Sequence, residues 1–148
     1  SVLLGCPFLD LDEAIVRREG RDIPAIFADV GDAGFRLCET QALISVCGKA
    51  PMLIATGGGI VTREENIDIM RRYGLVIFIN RPLEEMIANV RQDTRPNLAG
   101  DKEERMRTLF ARREALYQKA AHVEFDNSCS AEEAVRRLAS LPEIHALL

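Results

Sequence analysis

Charged side chains that stand against the apolar pattern are the residues of this chain best able to do chemistry. Asp10 and Asp12 are two apart after the apolar pair Phe8-Leu9, so they share a face wherever the backbone stays extended. Arg36 and Glu39 are three apart in a helical pattern, close enough to pair. Arg113 falls in the middle of a helical stripe of Met106, Leu109, Phe110, Tyr117 and Ala120. There its guanidinium must find a partner, extend its head to water or meet a ligand. Arg95 lies in a segment punctuated by Pro96 and Gly100, and Gly57, Gly58 and Gly59 follow one another directly. Three consecutive glycines cost backbone entropy, and they suit a place where the main chain takes positive φ or lets something lie directly against it.

Each feature also has a plain structural reading. Asp10 and Asp12 can cap the helix that follows, Arg36 and Glu39 can be an exposed pair, Arg95 a solvated loop charge, Arg113 half of an internal salt bridge, and the triplet a flexible turn. Together, however, they sit near predicted strand ends, where open α/β sheets bind ligands. Two carboxylates with several arginines suit an anionic, hydroxylated substrate and a phosphate donor.

The elements that must position these groups follow from periodicity. Leu53-Ile54-Ala55, just before the glycines, and Leu75 to Ile79 are unbroken apolar runs, which predict strands buried on both faces of a parallel sheet. Pro7 to Asp10 and Val123 to Asp126 read as shorter strands, and Val2 to Leu4 with Gly5 as the tail of a helix. Helices are predicted over about Leu11 to Glu19, ended by Gly20, then over Pro24 to Val30 and Asp32 to Val46. Thr62 with Glu65 is a capping box for a helix to about Tyr73, Asn80 caps the next helix, and Ser130 with Glu133 caps the final one. Gln92 to Asp101 reads as a mobile loop and Lys102 to Ala121 as a long helix. Strands alternating with helices predict a parallel α/β sheet covered on both sides.

The 148 residues suffice for one domain, and the net charge of -4 argues against a general nucleic-acid binder. No apolar run approaches the roughly 20 residues of a membrane helix. Cys6, Cys38, Cys47 and Cys129 form no CxxC pair, and the expectation is reduced thiols in a cytoplasmic protein. The glycine triplet is neither a dinucleotide fingerprint, since Thr62 stands where a spaced glycine is needed, nor a phosphate loop, since no Lys-Ser or Lys-Thr follows.

Taken jointly, the motifs resemble the shikimate kinases. Phe8-Leu9-Asp10-Leu11-Asp12 resembles that family's Asp-x-Asp strand end, Gly34-Phe35-Arg36 with Glu39 its Phe-Arg-x-x-Glu helix, and Ala55 to Val61 its glycine motif. Arg95-Pro96 resembles the start of its lid, about residues 92–101, and Arg113 with Leu116, Tyr117 and Ala120 or Ala121 its last substrate motif. The resemblance implies one domain over residues 1–148, a three-layer α/β/α sandwich of the nucleoside-monophosphate-kinase type, and transfer of the ATP γ-phosphate to the 3-hydroxyl of shikimate in aromatic amino-acid biosynthesis. It also implies roles for single residues. Asp12 would hold the acceptor hydroxyl and take its proton, Arg36 and Arg113 would grip the shikimate carboxylate, and Gly57, Gly58 and Gly59 would offer backbone N–H groups. Asp10 would act on Mg²⁺ through water, Arg95 would close over the ATP phosphates, and Glu39 would orient Arg36. A monomer is expected.

Two departures accompany the resemblance. The family's first, central strand and its GxxxxGK[ST] loop would precede Val2, so the expectation is a sheet lacking that strand, with two facing edges unpaired and a gap in the core, in a chain short by on the order of 25 residues. Gly48-Lys49 does not substitute, because Leu43 and Ala50 stand where the loop needs glycine and a hydroxyl residue. In the lid, Asn97 stands where leucine is usual. Two other readings compete, a non-catalytic module that keeps acceptor binding or only the scaffold, and a related small-molecule kinase such as a gluconate kinase.

Overall fold

The computed structural model describes residues 4–93 and 96–147, with side chains for all of these except 89–93 and 96–101. The first strand, β1 (Phe8–Asp10), runs directly into α1 (Leu11–Glu19). Asp10 provides the turn between them, its Oδ1 accepting from the backbone N–H groups of Asp12 and Glu13, two of the donors a helix start leaves orphaned. Gly20 ends α1 in the left-handed conformation at φ 68, as predicted. Gly5 takes φ 62, and the helix tail expected before it lies mostly outside the described residues.

The two helices expected next are halves of one element, α2 (Ile23–Val46), bent at Gly31, whose φ of 67 falls where residues with a Cβ are strained. After β2 (Leu53–Ala55) the glycine triplet leads into a 3₁₀ turn at Ile60–Thr62 and then α3 (Glu64–Tyr73). The Thr62–Glu65 capping box does not form. Thr62 Oγ1 donates instead to Gly59 O at 2.7 Å, closing the 3₁₀ turn, and the helix starts at Glu64 without a side-chain cap. β3 (Ile77–Asn80), α4 (Leu83–Asp93), α5 (Pro96–Ala120), β4 (Val123–Asp126), α6 (Ala131–Ala139) and a short α7 (Pro142–His145) complete the order. Asn80 belongs to β3 rather than capping α4, and its Nδ2 donates to Glu124 Oε1 on the neighbouring strand at 2.7 Å. Helix α5 begins at Pro96, within the segment predicted as a mobile loop; proline suits a first helical position because its missing N–H would be unpaired there anyway.

All described strand pairing is parallel, but in two separate pairs. β1 lies beside β2, with Asp10 opposite Ala55, and β3 lies beside β4, with Asn80 opposite Asp126. Between β2 and β3 is a cavity of about 430 Å³, lined among others by Ile54, Ala55, Ile77 and Ile79. This arrangement accounts for an error in the predicted burial of the strands: Leu53 is 39 % and Ile79 46 % exposed, although both lie in unbroken apolar runs. Among the described residues, each strand has a hydrogen-bonded neighbour on one side only.

The principal core lies beneath β1 and β2, where Leu11, Ile15, Ile26, Phe35, Leu43 and Ile67 are buried together. Burying each large aliphatic side chain contributes roughly 1.5–3 kcal/mol. Helix α5 packs against this core through Ala120 and the partly buried Leu116 and Tyr117, and its C-terminus is held by Arg71, whose Nη1 donates to the carbonyls of Lys119, Ala120 and Ala121. The predicted apolar stripe of α5 is only partly covered, with Leu109 44 % exposed.

Candidate active site

The glycine triplet is the point at which three other elements meet. Added Cβ atoms make the contacts plain. On Gly57 such an atom would lie 3.5 Å from Asp12 Oδ1 and 3.7 Å from Glu39 Oε1, on Gly58 2.9 Å from the Tyr117 hydroxyl, and on Gly59 2.6 Å from Arg36 Cζ. Gly59 has ordinary helical dihedrals, so glycine is needed there for the close approach of Arg36 and not for backbone freedom. Within this loop the backbone donors Ile60 and Thr62 close onto Gly57 O and Gly59 O.

Arg36 is held by a set of contacts more closed than the exposed pair that its spacing allows. Its Nη1 donates to Glu39 Oε2 at 2.8 Å and its Nη2 to Asp32 Oδ1 at 3.0 Å. Glu39 is 1 % exposed. The rings of Phe35 and Phe27 lie 5.4 and 6.0 Å from Arg36 Cζ, close enough for cation–π attraction. Burial works against the Arg36 charge, but the hydrogen bond and charge of Glu39, then those of Asp32, outweigh it and hold the guanidinium above its usual range. Burial pushes the Glu39 carboxyl up, and Arg36 draws it part of the way back.

Asp12 stands in the first turn of α1 beside Gly57. Its carboxyl is raised, first by burial and then by the neighbouring Asp10, against the opposing pull of Arg36. Asp10 fills the capping role that was its plain structural reading, with Oδ1 committed to the helix start. Among the described residues no group of three or more His, Cys, Asp or Glu side chains could hold a metal unaided. A magnesium ion carried with substrate phosphates takes only one or two carboxylates and keeps several waters, a role that Asp10 would fill through water.

Helix α5 contributes from the opposite side. Tyr117 donates its hydroxyl hydrogen to Gly58 O at 2.9 Å and stacks on Phe78 of β3 at 5.0 Å between centroids. Arg113 lies one turn earlier on the same helix face, half-buried, and among the described residues it has no ion-pair partner. The internal salt bridge that the sequence left open for it is therefore not made with them. Arg95 lies outside the described residues. The sequence marks Asp32 only as a helix start and not as a site residue, although its spacing, four before Arg36 on a helix, is a recognisable pairing signal.

Comparison with known proteins bears on what this arrangement serves. The shikimate kinase family model matches residues 1–141. The chain belongs to the shikimate kinase family. A shikimate kinase of Halorhodospira halophila is 37 % identical over 137 residues, 91 % of this chain and 77 % of that protein. The structure of a shikimate kinase from Acinetobacter baumannii in complex with shikimate superposes with a TM-score of 0.80 at 33 % identity, covering 93 % of this chain and 79 % of that one. A shikimate kinase structure from Aquifex aeolicus gives 0.75 at 31 % identity, covering 93 % and 83 %. The α/β fold of the shikimate kinases is thus the fold of this chain, and ATP is the co-substrate of the family. No helix among the described residues is long and apolar enough to cross a membrane.

Proposed function

We infer that this chain carries the acceptor half of a shikimate kinase site and serves transfer of the ATP γ-phosphate to the 3-hydroxyl of shikimate. The observation that carries the reading is the meeting of Asp12, the Arg36–Glu39 pair and the glycine triplet at the carboxyl ends of β1 and β2, the edge at which parallel sheets bind ligands. Arg36, oriented by buried Glu39, and Arg113, from the facing helix, grip the substrate carboxylate. The main-chain N–H groups of Gly57, Gly58 and Gly59 line the ring between them. Asp12 accepts the hydroxyl proton as that oxygen bonds to the γ-phosphorus and ADP departs. Its raised carboxyl makes it a better proton acceptor than an ordinary aspartate once ionised. Asp10 would hold Mg²⁺ through water, the ion supplying neutralisation of developing phosphate charge, and Arg95 would close over the ATP phosphates. The remaining catalysis is positioning. A cytoplasmic monomer with reduced cysteines completes the reading.

Calorimetric titration of shikimate into the 148-residue chain tests it, with circular dichroism to establish that the chain is folded. Saturable binding near one equivalent is expected. A folded chain that takes up no shikimate overturns the site as drawn and favours a scaffold role.

A further inference from the structure

Arg36 has three donor nitrogens in unequal circumstances. Nη1 is committed to Glu39, a carboxylate with a side chain 2 % exposed, while Nη2 holds Asp32, whose side chain is 71 % exposed. Nε is buried and has no hydrogen-bond partner. In a guanidinium, Nε and Nη2 present parallel N–H groups along one edge, and a carboxylate docked there accepts from both. That edge is half used. Asp32 takes Nη2 through one oxygen and leaves Nε as an orphaned donor, a costly condition relieved only when an acceptor arrives.

We propose that Asp32 is a built-in competitor for the substrate carboxylate, occupying Arg36 Nη2 in the empty site and leaving it when a carboxylate able to span Nε and Nη2 enters. The proposal rests on the reading of Arg36 as the carboxylate grip. Asp32 suits the role because little holds it. Its side chain makes no other ion pair or hydrogen bond with described residues, it follows the bend at Gly31, and a solvent-exposed pair is weak. Glu39 does not suit it, since releasing Glu39 would strand a buried carboxylate. While Asp32 is in place, Arg36 is flanked by two carboxylates, and their combined negative charge opposes any anion that cannot displace one of them. Only a ligand that takes both donors of the free edge, and makes further contacts with Arg113 and the glycine loop, gains enough to do so. Asp32 thereby sets selectivity among anions at the expense of affinity.

The test is calorimetric titration of shikimate, and separately of its uncharged methyl ester, into the wild-type chain, Asp32→Asn and Asp32→Ala. Shikimate should bind the two variants more tightly, by up to about fivefold given the strength of exposed pairs, while ester binding stays as in the wild type. Unchanged or weaker shikimate binding by the variants, with the wild type binding normally, overturns the competitor role and makes Asp32 a positioning residue for Arg36. A gain that appears equally with the ester also overturns it, because displacement by a carboxylate is then not its cause. Absence of binding by folded wild type and variants alike overturns the acceptor site itself, and the competitor role with it.

Discussion

Arg36 and Glu39 face each other one helical turn apart on α2, Nη1 to Oε2 at 2.8 Å, and the carboxylate is the more deeply buried partner. Removing it leaves the guanidinium, beside the stacked rings of Phe27 and Phe35, with the exposed Asp32 as its remaining carboxylate partner. Glu39→Ala should destabilise the fold by roughly 3 kcal/mol, the scale for breaking a buried pair from one side, and should weaken shikimate binding as Arg36 loses its orientation. Thermal melting and titration on the same preparation check both.

Arg113 presents the opposite case. It has no ion pair to lose among the described residues, so Arg113→Ala should leave the melting temperature within a degree or two on the scale of surface substitutions. Shikimate affinity should fall at least about tenfold, as for loss of a charged hydrogen bond. Unchanged affinity in the folded variant would remove Arg113 from the site.

The three glycines should rank by what each would meet. Gly59→Ala drives a methyl into the Arg36 guanidinium and should abolish measurable shikimate binding, and Gly58→Ala meets the Tyr117 hydroxyl and should weaken it less. Gly57→Ala finds only ordinary contact distances to Asp12 and Glu39 and should be tolerated best. A different order in titration would contradict close approach as the reason for the triplet, since none of its three residues takes positive φ.

Asp12 should cost stability in exchange for function. Its carboxyl is raised by burial and by Asp10, so the folded chain binds that proton more tightly than the unfolded chain does. The stability this confers is complete below the unfolded value, near 3.8, and is lost as pH rises through the higher folded value. At neutral pH the ionised group is therefore a net cost, and Asp12→Asn should melt higher than the wild type at pH 7. The two should converge as pH falls toward 4, while the variant loses phosphoryl transfer. Equal melting curves at pH 7 would contradict the raised carboxyl.

Some of this was legible in the sequence because it is local. Gly20, the strand Leu53–Ala55 and the three-residue spacing of Arg36 and Glu39 each depend on a few neighbouring residues, and the structure keeps all three. Burial of Ile79 depends instead on which strands lie to either side of β3, which its own apolar run cannot report; it is half exposed where β3, among the described residues, pairs only with β4. Thr62 had two ways to spend its hydroxyl, on a helix cap or on Gly59 O, and the turn leaving the triplet decided between them. The depth of Glu39 was likewise hidden, since spacing shows that two charges can meet and not whether water reaches them.

Tyr117 has a practical use that follows from its two contacts. The chain contains no tryptophan and two tyrosines, so Tyr73 and Tyr117 dominate its near-ultraviolet emission over the weakly emitting phenylalanines. Tyr73 is 54 % exposed and stands away from the triplet, whereas the Tyr117 ring lies on Phe78 with its hydroxyl bound to Gly58 O. A ligand that shifts the glycine loop would alter that hydroxyl's hydrogen bond, and a titration followed by tyrosine emission would read the change without a label.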